Sequence, residues 1–239
     1  MNINIPTFRF NNPMSAAKLN EMIDLLDLNA AHNIIDFGGG NGEVLLEMIS
    51  RKGSQGTLVD LDNKLLEACA QKSQDLITQG KLKIVHKDAK VYLKELSLGS
   101  FDCIVCIGSS HAFGSYLDLV KTIKPYLKPN AVLLVGEGFW QQAPAPEYLE
   151  ALGGQETDLM YHYQNIEKAE ELGMQYLYST IASEDDWNRW EGAYFLKKEL
   201  ELNSLDQEKA YLQQQLFRKA QIQYGRKTMG FGLYLFANK

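Results

Sequence analysis

Residues that could bind a ligand follow a short apolar run, where Asp36, Gly38, Gly40 and Gly42 alternate with other residues. The apolar run indicates a buried parallel strand, and the residues after Gly42 have helical spacing. Glycine lacks Cβ, so the backbone can adopt positive φ and a ligand can approach it closely. The amides at the start of the next helix would face that ligand. Strand, glycine turn and helix together predict a nucleotide-binding βα unit.

The spacing of these glycines argues against a dinucleotide site. A dinucleotide fingerprint needs a third glycine for close packing of helix on strand, and Glu43 stands at that position. A carboxylate near the helix start would also repel a pyrophosphate, whereas it would tolerate a cationic or zwitterionic ligand. An NAD-dependent oxidoreductase and a glycine turn without any ligand remain the alternatives.

The pattern from Asp36 to Gly42, with Asp60 at the end of the next predicted strand and the pair Asp88-Ala89, resembles the class I methyltransferases that use S-adenosylmethionine (SAM). SAM is an adenosine with a sulfonium and an amino-acid end. The resemblance covers nearly the whole chain. Four further segments resemble a largely uncharacterised bacterial subgroup of small-molecule type: 12–13, 136–140, 184–187 and 224–226.

The resemblance implies roles for the acids that follow the second and third strands. Asp60 would accept hydrogen bonds from both ribose hydroxyls, although an acid there can also cap a helix, a role that Asp62 fits better. Asp88 would accept from the adenine amine, with the Ala89 amide near a ring nitrogen; an ordinary loop acid is the alternative. The cofactor site is also predicted to include two apolar residues at strand ends, Leu61 and Ile107.

Candidates for catalysis follow the fourth and fifth strands. The cofactor would already be activated, so the protein mainly positions the acceptor, and a base helps only where the acceptor must lose a proton. His111 is the first candidate base and Glu137 the second, each with a structural role as the alternative. Three aromatic residues could wall the pocket and stabilise a cation, or simply join a cap to the core: Trp140, Trp187 and Trp190.

The elements that position these residues alternate between strands and helices. Five strands with intervening helices predict an α/β, Rossmann-like doubly wound sheet. The predicted elements include helices over 64–78 and about 206–224, and a turn at 128–130 that leads into the fifth strand at 131–136. The resemblance implies seven strands, mostly parallel with the last antiparallel, and a helical cap. We expect one methyltransferase domain, with its core at about 30–182 and 228–238. Lid or cap elements would cover about 1–28 and 183–226.

Composition narrows the classes of partner. The 239 residues are 45% hydrophobic with a net charge of −6, which predicts a globular protein without an electrostatic footprint for nucleic acid. No run of about 18 apolar residues indicates a membrane span. Three cysteines and no secretory signal predict a cytoplasmic protein, and the Cys103-x-x-Cys106 spacing, without a second ligand pair, predicts no metal site.

The function predicted from the sequence is SAM-dependent methylation of a small molecule by a monomer or homodimer. No Asn/Asp-Pro-Pro-aromatic motif follows the fourth strand, and no Pro-Cys nucleophile is present. These absences argue against methylation of adenine or glutamine amino groups and of cytosine C5. A non-catalytic module that binds SAM or S-adenosylhomocysteine (SAH) is the second hypothesis.

Overall fold

A single sheet contains the seven strands of this computed structural model, which describes residues 3–202 and 208–239. The sheet order is β3-β2-β1-β4-β5-β7-β6. Neighbours from β3 to β5 pair in parallel, and β7 is antiparallel. The predicted seven-stranded, doubly wound fold is therefore confirmed. The strands are β1 (Asn33–Phe37), β2 (Gln55–Asp60), β3 (Leu82–His86), β4 (Phe101–Ile107), β5 (Leu127–Trp140), β6 (Met174–Ile181) and β7 (Met229–Asn238).

Helices fill the connections between these strands. The α-helices are α1 (Ala16–Asp24), α2 (Glu43–Lys52), α3 (Asn63–Lys72), α4 (Gln74–Thr78), α5 (Ala89–Leu93), α6 (Tyr116–Ile123), α7 (Pro146–Leu152), α8 (His162–Glu171), α9 (Glu184–Leu202), α10 (Glu208–Ala220) and the single turn α11 (Arg226–Thr228). Shorter 3₁₀ segments cover Ser110–Phe113, Lys124–Tyr126 and Glu156–Asp158, and a π-helix covers Gln221–Gly225.

Glycines and charges define both ends of α2. Gly42 precedes it with φ of 76°, and Gly53 follows it with φ of 73° and an amide that donates to the Ile49 carbonyl. Both backbone conformations are left-handed, which favours glycine. Glu43 lies in the first turn and Arg51 in the last, so their charges complement the helix dipole. Gly42 and Glu43 therefore explain why α2 begins directly after the glycine turn.

The core beneath the glycine turn is built from β1. Ile34, Ile35 and Phe37 are at most 1% exposed, and burial of such a side chain contributes roughly 1.5–3 kcal/mol. The Phe37 ring meets the Phe113 ring edge-on, with 5.4 Å between centroids. Register pairs Ile34 with Cys103 of β4, so the turn and the end of β4 occupy the same edge of the sheet.

Two elements differ from their predicted form. The helix predicted over 64–78 is interrupted at Ser73, whose hydroxyl donates to the Cys69 carbonyl. Hydroxyls that bond backbone carbonyls in this way compete with regular helix geometry. The turn predicted at 128–130 is instead part of β5, because Leu127 pairs with Phe101 before the register shifts.

The chain divides into two compact units. The sheet unit contains Ala17–Glu137, Tyr163–Thr180 and Leu233–Lys239. The helical unit contains 3–16, Gly138–His162 and the described part of Ile181–Gly232. The domain and lid boundaries given above stay predictions. Residues 1–2 of the first lid, residues 203–207 of the second and the start of the helix predicted over 206–224 lie outside the described residues.

None of the helices within the described ranges combines the length and apolar character that crossing a lipid bilayer requires.

Candidate functional site

Three glycines of the turn after β1 have left-handed backbone conformations. The φ angles are 69° at Gly38, 57° at Gly40 and 76° at Gly42. The Gly38 amide donates to the Val59 carbonyl at 2.8 Å, which ties the turn to β2. A Cβ at Gly38 would lie 2.4 Å from Cβ of Ser109, so no larger residue fits there. The left-handed backbone conformations of this turn, and the contact at Gly38, therefore require glycine.

Asp60 joins the glycine turn to the end of β2. Its Oδ2 accepts a hydrogen bond from the Gly40 amide and its Oδ1 accepts one from the Asp62 amide, both at 2.8 Å. Each carboxylate oxygen has a second lone pair, so the half-buried Asp60 can still accept from two hydroxyls. Asp62 caps α3 by accepting from the amides of Lys64 and Leu65. Asp60 is therefore not the helix cap.

Asp36 is a buried acid beside the same turn. It is 2% exposed, and its Oδ2 has no hydrogen-bond partner among the described residues. A Cβ at Gly39 would lie 2.4 Å from this oxygen. Burial, reinforced by the charge of Asp60, raises the pKa of Asp36 to about 7. A positively charged ligand near this carboxyl would favour its ionised form.

The end of β3 places a third acid at this edge of the sheet. Asp60 pairs with His86 across the two strands, and Asp88 follows two residues later. Asp88 accepts from the Val91 amide at 3.0 Å and so caps α5, while Ala89 is buried in its first turn. Leu61, which was also predicted to belong to the cofactor site, has 63% of its surface exposed. Asp88 therefore has a structural contact as well as its predicted role at the adenine, which stays a prediction.

The end of β4 meets the glycine turn directly. The Ser109 hydroxyl donates to the Gly38 carbonyl at 3.1 Å. The half-buried Ile107 pairs with Gly136 of β5, so His111 follows the end of β4 close to the point where Glu137 lies in β5. Glu137 was predicted to follow the fifth strand but lies within it, because β5 continues to Trp140. His111 is exposed and Glu137 half-buried. Their catalytic roles stay predictions.

A buried polar network lies close to Glu137 and was not predicted from the sequence. The Tyr116 hydroxyl donates to the Asn165 carbonyl at 2.8 Å, and Asn165 Nδ2 donates to the Tyr234 hydroxyl at 3.2 Å. Burial chiefly, with a contribution from the negative charge of Glu137, raises the pKa of both tyrosines. Both tyrosines therefore stay neutral. No sequence motif indicates the network, because three distant segments supply it.

The tryptophans proposed as pocket walls belong to the helical unit. Trp140 is 2% exposed, and its indole nitrogen donates to the Glu156 carbonyl at 2.8 Å. The rings of Trp187 and Trp190 meet edge-on at 5.9 Å. The Arg226 guanidinium lies 4.9 Å from the centroid of the Trp187 ring. Trp140 is thus a core residue of this unit, and the predicted role of all three as pocket walls stays a prediction.

Metal ligands are not grouped in the described part of the chain, where no three His, Cys, Asp or Glu side chains come together as a possible ion site. The three cysteines, Cys69, Cys103 and Cys106, are buried thiols. Burial raises the pKa of both Cys103 and Cys106, so these thiols are unreactive core residues.

A family model described as a methyltransferase domain matches residues 12–203. The chain belongs to this methyltransferase family. The Uncharacterized protein YjhP of Escherichia coli strain K12 is 25% identical over 232 residues, which are 95% of this chain and 92% of YjhP. The matched residues include the glycine turn, Asp60 and Asp88.

Two solved methyltransferases have the same fold as this chain. A SAM-dependent methyltransferase from Thiobacillus denitrificans, in complex with SAH, is 26% identical with a TM-score of 0.81, over 95% of this chain and 93% of the other. One from Geobacter sulfurreducens, also with SAH, is 23% identical with a TM-score of 0.82, over 96% and 93%. The class I methyltransferase fold thus extends over nearly the whole chain.

Proposed function

We propose that this protein is an enzyme that transfers the methyl group of SAM to a small-molecule acceptor. The observation that carries the proposal is the orphaned, buried carboxyl of Asp36 beside a glycine turn tied to Asp60. A buried polar atom without a partner calls for an explanation in a folded protein, and a bound ligand would supply a partner at this position. The family and the SAH-bound neighbours supply the identity of that ligand.

The residues of the sheet unit fit SAM group by group. The left-handed glycines leave room for the ligand beside the backbone, and the second lone pairs of Asp60 suit the two ribose hydroxyls. The acid Asp88 and the Ala89 amide suit the adenine edge. Bound SAM supplies an electrophilic methyl group on a positively charged sulfonium. At an effective dielectric constant of 20, opposite charges 4 Å apart attract by about 4 kcal/mol, which suits a site containing Asp36 and Asp60.

Catalysis then requires that the acceptor be positioned and, where needed, lose a proton. His111, which follows the end of β4, and Glu137, which lies within the neighbouring β5, are the proposed bases. General bases contribute typically 10²–10⁴-fold to a rate. We therefore expect His111→Ala or Glu137→Gln to lower kcat by about that factor while the affinity for SAM is retained. Full activity in both variants would leave positioning alone as the source of catalysis.

The experiment that tests the proposed function is transfer of label from methyl-labelled SAM to a metabolite extract, followed by mass spectrometry. We expect a labelled small molecule that appears with the wild-type protein and is lost with Asp60→Ala. The matched control is Asp75→Ala, which changes an exposed acid of α4 elsewhere in the sheet unit. Binding of SAM without any labelled product would favour the non-catalytic module instead. An NAD-dependent oxidoreductase has no support from the family match.

The cytoplasm of a bacterium is the proposed location. Three buried thiols without a disulfide suit a reducing compartment, and the relatives named above are bacterial. The protein would work as a monomer or homodimer, which light scattering of the purified chain distinguishes.

A further inference from the structure

The helical unit contains a cleft that none of the residues discussed above explains except Trp190. Its volume is about 280 Å³, and residues between Pro6 and Ala16 line it together with Asp186, Arg189 and Trp190 of α9. We call it the N-terminal cleft. We propose that the N-terminal cleft binds a small organic carboxylate with a planar apolar body.

Asn12 is a buried residue with a hydrogen-bond donor that the described part of the protein does not use. Asn12 lines the cleft and is 8% exposed. Its Oδ1 accepts from the Met14 amide at 3.0 Å, which fixes which end of the side-chain amide is oxygen. The nitrogen at the other end donates to none of the described residues and is not one of their fully buried atoms, so it is accessible from the cleft. An amide nitrogen only donates, so the ligand that satisfies it must offer an acceptor.

The charged side chains that line the cleft are mostly positive. Two arginines, Arg9 and Arg189, and one acid, Asp186, line the cleft, although the whole chain is acidic with a net charge of −6. Asp186 Oδ2 already accepts from both the amide and the hydroxyl of Ser183 at the start of α9. Arg189 is exposed, and a guanidinium matches a carboxylate through two parallel hydrogen bonds. The polar part of the lining therefore favours an anion.

Aromatic side chains form another part of the cleft lining. Trp190 and Phe8 line the cleft, and Phe8 is 37% exposed. The Trp190 ring packs edge-on against the Trp187 ring. The Arg226 guanidinium lies 4.9 Å from the centroid of the Trp187 ring. Arg226 is paired with the buried Glu191. The wall is thus supported by a buried ion pair, and its flat faces suit a planar group.

Binding of the carboxylate in the N-terminal cleft is independent of methyl transfer. The two ideas fail separately. If SAM does not bind, the proposed function is wrong even where a carboxylate still binds. If SAM binds and transfers its methyl group but no carboxylate binds, only the present inference is wrong.

The test is isothermal titration calorimetry of the full chain with three probes: benzoate, its neutral analogue benzamide, and acetate. Hydrogen bonds to charged groups are worth enough to change affinity about tenfold or more, so benzoate should bind at least about tenfold more tightly than benzamide. Acetate lacks the ring and should bind more weakly than benzoate. Equal affinity for benzoate and benzamide, or no heat from benzoate up to about 20 mM, would overturn the proposal.

Two variants locate the binding. Arg189→Gln should weaken benzoate about tenfold and leave benzamide unchanged. Arg218→Gln is the matched control, because it makes the same change on α10 outside the cleft and should bind benzoate as the wild type does. Asn12→Asp keeps the oxygen that accepts from Met14 but replaces the donor with an anionic oxygen, so benzoate binding should fall more than tenfold.

Each variant is compared only after its thermal unfolding curve matches that of the wild type. If Asn12→Asp does not fold, Arg189→Gln decides alone, since Arg189 is exposed and its replacement leaves the core intact. An equal loss of benzoate affinity in Arg189→Gln and Arg218→Gln would overturn the proposal.

Discussion

The buried carboxyl of Asp36 should make the stability of the protein fall as pH rises. Its pKa is raised from 3.8 to about 7 in the folded protein, so the folded state holds this proton more tightly than the unfolded chain does. Stability from this group is fully present below the unfolded value and is lost as pH rises to the folded value. A shift of about three pKa units corresponds to about 4 kcal/mol, at a slope of about 1.4 kcal/mol per pH unit.

Asp36→Asn isolates this effect, because asparagine does not titrate. The free energy of unfolding of the variant, minus that of the wild type, should increase by about 4 kcal/mol between pH 4 and pH 8. Urea unfolding followed by circular dichroism at several pH values measures this difference. Asp75→Asn is the matched control, because it makes the same change at an exposed aspartate of the same unit.

Saturating SAM provides a second arm of the same experiment. A cation near Asp36 favours the ionised carboxyl, so SAM should reduce the loss of wild-type stability at high pH and have a smaller effect in Asp36→Asn. A difference between variant and wild type that stays flat within about 1 kcal/mol from pH 4 to pH 8 would refute the reasoning about burial.

Two further predictions concern stability and are measured by chemical unfolding. Gly38→Ala should cost about 2–4 kcal/mol, because it combines a left-handed backbone with a clash at Ser109, whereas Gly99→Ala, also left-handed but with open space around it, should cost only about 1–2 kcal/mol. Equal losses would mean that the contact with Ser109 adjusts freely. Glu191→Ala should cost about 3–5 kcal/mol, because it leaves the Arg226 guanidinium largely buried without its partner, and Glu191→Gln should cost less. If Glu191→Ala were as stable as the wild type, water would have replaced Glu191 as the hydrogen-bond partner of Arg226.

Local sequence signals predicted most of the strands and the glycine turn well. Apolar runs bounded by glycine indicate β1 and β4 correctly, because both strands are buried on two faces. The predictions fail where distant contacts override local preference. Pro129 and Asn130 look like a turn, and Asn130 has φ of 62°, yet pairing of β5 with β4 keeps them in a strand.

The site was predictable only in part, for the same reason. Asp36 and Asp60 could be singled out because each lies near the end of a strand, at a characteristic distance from the glycines. The orphaned amide of Asn12 and the pair between Glu191 and Arg226 could not, because both depend on how segments far apart in the chain meet within the helical unit. Residue type alone does not show which polar group is buried.

A titration of SAM into the purified protein and into Asp60→Ala tests the central claim most directly. The account predicts saturable binding of one SAM per chain in the micromolar range for the wild type, without competition from NADH. It predicts at least a roughly tenfold weaker affinity in Asp60→Ala, since a charged acceptor of hydrogen bonds is lost. Absence of saturable binding, or the same affinity in both proteins, would contradict the assignment of the glycine turn and Asp60 to SAM.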